Sequence, residues 1–332
     1  MSHRNRKSIR FRGKEETVLE TLNLRGRSYY VLEKLSRRGA YRVFDTHAGP
    51  NGDYRALYRI PNDNNARQKI EVLKRFSGAN GNRNFPGIVD YVRDRDELFV
   101  VLAWVSGTNL RHYLKAIRDG KSPAPSASES VRLMRGMAHG LGHFHRRLNL
   151  VHGDVSPANL IITNGTKQLT TVDFGSAWPI EAASEKEAGD GVTALYAAPE
   201  RVTGEAVEDF RSDAFSHAVV AYEMLTLQLP FDGLGGQACL PAFRKKAASK
   251  YRSPSALLWN SDRLPKATKR QLDEVLRTSL AFDPDDRYST RNEWLTAWDS
   301  LHESFRKGSR LTRLERLVVG CFDFAANIWN RH

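Results

Sequence analysis

Cysteine is almost missing from these 332 residues, with only Cys239 and Cys321 present. Their placement suits neither a metal site nor a disulfide framework, so a reducing cytosol is the default compartment. Long hydrophobic runs are missing too. No apolar stretch approaches the ~18 residues of a membrane span, and the basic start MSHRNRKSIRFRGK lacks the apolar centre of a secretory signal. Acidic residues are in deficit, 38 against 51 Lys and Arg, for a formal net charge of +13. That excess leaves open an acidic partner (nucleic acid, an anionic membrane surface or an acidic protein) or a solvated basic surface. Apolar residues make up 40%, enough for a real core rather than a disordered chain. The length suits one large two-lobed domain or two small ones.

Along the chain, residues 1–27 read as a basic tail, because Arg4, Arg6, Lys7, Arg10, Arg12 and Lys14 precede the first acid, Glu15. From Tyr29 the pattern turns strand-like. YYVLEKL, AYRVFD, DYRALYRI, GIVDYVRD and ELFVVLAWV are short, rich in β-branched and aromatic residues, and separated by turn signals. Between the third and fourth, ARQKIEVLKRF sets Ile70, Leu73 and Phe76 at helical spacing. After Gly107 the chain is helical. Ser126 and Glu129 form a capping-box pattern, followed by an apolar stripe of Leu133, Met134, Met137, Ala138, Leu141 and Phe144. AFSHAVVAYEMLTLQLPF is apolar on nearly every face, which predicts a helix buried through its lobe. The end of the chain, LTRLERLVVGCFDFAANIWNRH, reads as an amphipathic helix for docking, dimerisation or a membrane surface.

The chemistry centres on VHGDVSPANLIIT, Val151 to Thr163. A polar loop between two apolar runs presents one carboxylate, Asp154, and one amide, Asn159. Asp154 can orient a hydroxyl and accept its proton, and Asn159 can hold a metal on nucleotide phosphates. A second carboxylate follows nineteen residues after the first, Asp173 in TVDFGSAW. Ala198-Pro199-Glu200, Asp213 and Arg287 lie further on.

Together these motifs resemble the protein kinase superfamily, in particular bacterial eukaryotic-like serine/threonine kinases. The resemblance implies an α+β, two-lobed kinase-like fold, with a small antiparallel sheet lobe carrying one helix and a larger helical lobe. It implies a domain over 28–305, with an N-lobe at about 28–102, a hinge at 103–106 and a C-lobe at 107–305. A basic amphipathic extension covers 306–332. Asp154 takes the catalytic-base position, and Asn159 and Asp173 take the metal positions. Arg287 stands where the family pairs an Arg with Glu200. Asp213 matches the buried Asp behind the catalytic loop, and Thr193 the hydroxyl residue beside the substrate. Antibiotic and choline phosphotransferases share the H-G-D-x-x-x-x-N loop but lack the Ala-Pro-Glu segment and its Arg.

The chain also departs from the family. Gly153 replaces the Arg that couples the loop to activation-loop phosphate. Ser156 replaces the Lys that steadies the γ-phosphate, keeping a hydroxyl donor without the charge. With Leu35 and Val43 as anchors, Ser36, Arg38 and Tyr41 stand in the three glycine positions of the phosphate loop, with Gly39 nearby. Arg37 and Arg38 are then either side-chain phosphate contacts or a basic exposed turn. In ALYRI, Ala56 takes the place that roofs the adenine, and Tyr58 replaces the expected lysine, while Arg59 points to the opposite face. Lys69 stands in the position of the lysine's Glu partner, with Glu71 beyond it. Lys69 is then either a stand-in cation for the phosphates or a solvated helix residue. Leu102 takes the gatekeeper place, and main-chain groups of Ala103 and Val105 face adenine.

The resemblance thus implies ATP and Mg²⁺ as cofactors and transfer of the γ-phosphoryl group to hydroxyls of a protein substrate. The loss of the β-strand lysine leaves a second reading, a pseudokinase that binds nucleotide or a regulatory partner. A third is a binder of nucleic acid or membrane through the basic ends. The expected location is cytoplasmic, with peripheral membrane association through those ends left open.

Overall fold

A computed structural model describes residues 7–36, 39–64, 66, 70, 85–173, 177–179, 193–204, 209–258 and 264–307. The chain divides into two compact units, Met1–Ser106 and Gly107–His332.

The first unit is built on alternation. Strands β3 (Glu20–Leu24), β4 (Arg27–Lys34), β5 (Ala40–Asp45), β6 (Asp53–Pro61), β7 (Ile88–Asp94) and β8 (Glu97–Ala103) form an antiparallel sheet in the order β3-β4-β5-β6-β8-β7. Because successive side chains face opposite sides, Tyr29, Val31, Val43, Leu57, Phe99 and Val101 collect in one core cluster. Val43 and Leu57 are fully buried, each burial contributing about 1.5–3 kcal/mol. A second cluster joins Val18, Leu32 and Phe44 to Ile9, Phe11, Tyr30 and Tyr54.

That second cluster overturns the expected N-terminal tail. Ser8–Phe11 (β1) and Lys14–Thr17 (β2) form a hairpin, and Glu20–Leu24 is an edge strand of the sheet, which therefore has six strands rather than five. The physical reason is a period of two hidden in the charge run. Ile9 and Phe11 alternate with arginines, so one side of β1 is apolar and packs down. Two turns complete the register. Arg12-Gly13 and Arg25-Gly26 each join paired strands with both residues at positive φ, the geometry that matches strand twist in a two-residue hairpin. The helix expected over ARQKIEVLKRF lies almost wholly outside the described residues.

In the second unit, α1 (Leu110–Arg118) begins at Asn109, whose side chain accepts from the Arg111 N–H. Helix α2 (Ala127–Leu148) begins at Ser126, whose Oγ accepts from the Glu129 N–H at 3.1 Å. The predicted stripe from Leu133 to Phe144 is buried, and the helix ends at Asn149 in the left-handed region, φ 53°. Pro199–Thr203 forms the short α3. Helix α4 (Phe210–Thr226) packs on α2 and on α5 (Lys266–Ser279). It is buried at every residue from Ser212 to Thr226, as its lack of a polar face predicts. A last helix, α6, runs over 291–307 and buries Trp294 and Trp298 completely.

Two small sheets hold the polar loop. Strand β10 (Leu150–Val151) pairs with β13 (Trp178–Pro179), and β11 (Leu160–Thr163) pairs with both β9 (Gly107–Asn109) and β12 (Leu169–Thr171). Residues 152–159 are therefore tied to secondary structure at both ends.

Candidate active site

The polar loop is shaped from behind by a buried carboxylate. Asp213, on α4, is 1% exposed. It accepts hydrogen bonds from the His152 N–H at 2.7 Å, the Gly153 N–H at 2.9 Å and His145 Nε2 at 2.7 Å. Burial alone would raise the Asp213 carboxyl. The bond from His145 and the backbone bond from His152 outweigh burial and hold it below the ordinary carboxylate range. His152 is itself fully buried, and burial pushes its imidazole down. Its ring packs 6.1 Å from that of Phe144.

This cradle presents Asp154 and Asn159 together. Asn159 Nδ2 donates to the Asp154 carbonyl and to Asp154 Oδ2, both at 2.9 Å. The Thr193 N–H donates to Asp154 Oδ1 at 3.1 Å. With its nitrogen turned to Asp154, the Asn159 amide has its oxygen left for another ligand. Asp173 is brought next to Asn159 by the backbone, since the Val172 N–H donates to the Asn159 carbonyl at 2.8 Å. Asp173 sits in the left-handed region, φ 68°, a conformation that costs about 1–3 kcal/mol in a non-glycine residue and persists where surroundings impose it. An amide oxygen and a carboxylate are the hard donors that Mg²⁺ takes, so these residues fit the expected metal.

Ser156 differs from expectation. It is fully buried, and its Oγ has no hydrogen-bond partner among the described residues. It stands just before the short 3₁₀ turn over Pro157–Asn159 and makes no side-chain cap to it. A hydroxyl buried in this way is closed off from a phosphate in solvent.

The Ala-Pro-Glu segment is locked as its residues imply. Arg287 Nη1 and Nη2 donate to Glu200 Oε1 and Oε2 at 2.8 and 2.9 Å, and Ser212 Oγ donates to the same carboxylate at 2.7 Å. Thr193 lies at the start of this segment, and the Gly236 N–H bonds Leu195 within it at 2.7 Å.

In the first unit, β6 presents Ala56 and Tyr58 on one face. Ala56 pairs with Leu102 on β8 and with Arg42 on β5. Arg59 points the other way, where its Nε donates to Glu97 at 2.6 Å. The Ala103 N–H is engaged by the Gly87 carbonyl at 2.9 Å, and the Trp104 ring lies 6.5 Å from that of Tyr54. Val43 pairs with Arg55 and is buried beside Leu57, on the face opposite Ala56. Gly39 begins the β5–β6 pairing, with a Cβ position only 2.3 Å from the Arg59 carbonyl, so it serves close strand approach. Arg37, Arg38, Lys69, Glu71, Phe174, Gly175 and residues 308–332 lie outside the described residues.

Three participants escaped the sequence reading. His145 lies in the last turn of α2, and nothing in its sequence neighbourhood marks it as a partner of Asp213. The Thr193 backbone N–H carries no side-chain signal. Glu16 lies in the charged N-terminal run; the Ile9, Phe11 alternation followed by Arg12-Gly13 is the signal of a hairpin that sets Glu16 on the returning strand.

Among the described residues, no helix is long and apolar enough to cross a membrane. The protein kinase domain family matches this chain over residues 55–298. A probable serine/threonine-protein kinase PknB of Bifidobacterium longum is 30% identical over 239 residues, covering 68% of this chain and 32% of that protein. Serine/threonine-protein kinase PknL of Mycobacterium tuberculosis is 30% identical over 232 residues, covering 70% of this chain and 54% of its own. The chain thus spans from about a third to about half of the length of these curated relatives. The crystal structure of the Mycobacterium tuberculosis PknI kinase domain is similar in fold, with a TM-score of 0.56 at 21% identity, covering 84% of this chain and 98% of that one. Over the span that carries Asp154, Asn159 and Asp173, this chain belongs to the protein kinase family.

Proposed function

We propose that this chain is an ATP-dependent protein serine/threonine kinase with an atypical nucleotide site. The observation that carries the reading is the Asp154–Asn159 pair, set by buried Asp213, with Asp173 held beside Asn159. Asp154 orients a substrate hydroxyl and accepts its proton. Asn159, through its oxygen, and Asp173 would hold Mg²⁺. Bound MgATP supplies the phosphoryl group and the neutralisation of its charge. Ala56 roofs the base, and the Ala103 carbonyl and the Val105 main chain meet its edge. Lys69 and Arg38 are the proposed phosphate cations, since Arg59 is committed to Glu97. The hydroxyl belongs to a protein substrate, as the kinase names of the relatives suggest. The test is incorporation of label from γ-labelled ATP with Mg²⁺ by the full chain. Asp154→Asn should lower it about 10²–10⁴-fold, and Asp173→Ala should abolish it. Equal incorporation by all three proteins overturns the reading.

Tyr58 in the lysine place favours a second reading, a pseudokinase that binds nucleotide or a partner without turnover. It is preferred if wild type binds nucleotide yet labels no better than Asp173→Ala. The basic residues Arg10, Arg12 and Lys14, now placed on the hairpin, support contact with an anionic surface from the cytoplasmic side. Salt-insensitive binding to anionic vesicles or nucleic acid would count against that contact.

A further inference from the structure

The N-terminal hairpin reaches the sheet face that carries Ala56. Side chains of directly paired residues share a face, and Ala56 is paired with Arg42. The side chain beside Ala56 on that face is therefore Arg42 and not Val43. Arg42 is anchored from the hairpin. Its Nη1 and Nη2 donate to both carboxylate oxygens of Glu16 at 3.1 and 2.5 Å, and its Nε donates to Glu33 at 3.1 Å. Tyr54 Oη donates to Glu16 at 2.5 Å, and the Arg42 guanidinium lies 5.3 Å from the centre of the Tyr54 ring. Phe11 of the hairpin packs edge-on against Phe44 at 4.9 Å and Tyr54 at 5.2 Å. The Tyr54 ring in turn neighbours Trp104, which lies between Ala103 and Val105. The family match begins at residue 55, so Glu16, Arg42 and the hairpin all lie ahead of it.

We propose that Arg42 is a base-recognising residue of the nucleotide site and that the hairpin, through Glu16, positions it. This rests on the nucleotide-binding reading above. The aliphatic stem of Arg42 widens the apolar roof begun by Ala56, and the planar guanidinium, held flat by the Glu16 fork, stacks on the purine. Glu16 never touches the base; it removes the rotational freedom that Arg42 would otherwise lose on binding.

Calorimetric titration of the full chain with MgADP and, separately, with inorganic tripolyphosphate tests this, after circular dichroism melts show each variant folded. Arg42→Ala and Glu16→Gln should each weaken MgADP by about tenfold, the size of one desolvated cation–ring contact, and leave tripolyphosphate unchanged. Glu16→Gln should add nothing in the Arg42→Ala background, because its effect runs through Arg42. If Arg42→Ala does not fold, Arg42→Lys, which keeps the charge without the planar fork, makes the same comparison. MgADP affinity that is unchanged or tighter in Glu16→Gln overturns the proposal alone; a tighter value makes the hairpin a cover over the site. Absence of MgADP binding by wild type overturns the nucleotide reading, and this proposal falls with it.

Discussion

Glu200 and Arg287 stand 87 residues apart in the chain and meet with both side chains almost completely buried. Such a pair owes its strength to completeness. The guanidinium also donates to the Ala281, Phe282 and Arg211 carbonyls, so few polar atoms are left wanting. Removing one partner strands the other in a low dielectric. Arg287→Ala should therefore lower the unfolding free energy by about 3–5 kcal/mol, measured by urea titration; a loss below about 1 kcal/mol would show that Glu200 finds water instead. This contact was legible beforehand because both residues sit in motifs. The cradle around Asp213 was only half legible. Its carboxylate was anticipated, but His145 was not, since a histidine at a helix end has many ordinary uses.

At the scale of elements, local chemistry decides the boundaries. Ser126 caps the helix that leads into the polar loop, so Ser126→Ala should cost about 1 kcal/mol, seen as a lower denaturation midpoint with unchanged slope. Gly39 begins the β5–β6 pairing at φ 86°, and the Arg59 N–H donates to its carbonyl at 2.8 Å. Gly39→Ala should cost about 1–3 kcal/mol from the backbone conformation alone and should speed hydrogen exchange at the Arg59 amide. Protection there as strong as in wild type would refute the close-approach argument. Helices α2 and α4 were readable because their apolar periods are long and interrupted by little charge. Strands β1 to β3 were not, because each has only four or five residues and the alternation of β1 lies inside a run of charge.

For the whole molecule, the buried histidine His217 links stability to pH. It lies fully buried on α4, edge-on to Trp294 and Trp298, with Nε2 donating to the Met134 carbonyl at 2.8 Å. Burial pushes its imidazole down to about 4. The unfolded chain, with an ordinary histidine near 6.5, binds the extra proton first, so acid favours unfolding. Stability is complete above about pH 6.5 and falls by about 3 kcal/mol from this residue as pH drops to about 4. Asp213 and Glu16, both held below the ordinary carboxylate range, add their losses at lower pH. Unfolding free energies of His217→Gln measured from pH 7 to 4 should lack the histidine part of the slope. An identical slope would place the acid sensitivity elsewhere.

By itself the sequence determined the chemistry on offer: one carboxylate and one amide at kinase spacing, a second carboxylate after them, and an Arg matched to the Ala-Pro-Glu segment. These are local facts, and a motif is local. It also determined the long helices, since an apolar period of many turns has only one good burial. Only the tertiary structure decided which face each short strand presents. A shift of one residue in β pairing reverses every side chain, and no residue in AYRVFD or YRALYRI settles that register alone. The pairing of Arg42 with Ala56 and the hairpin's hold on Arg42 through Glu16 both follow from long-range contacts. Their energies depend on what lies opposite, and neighbours in sequence do not specify it.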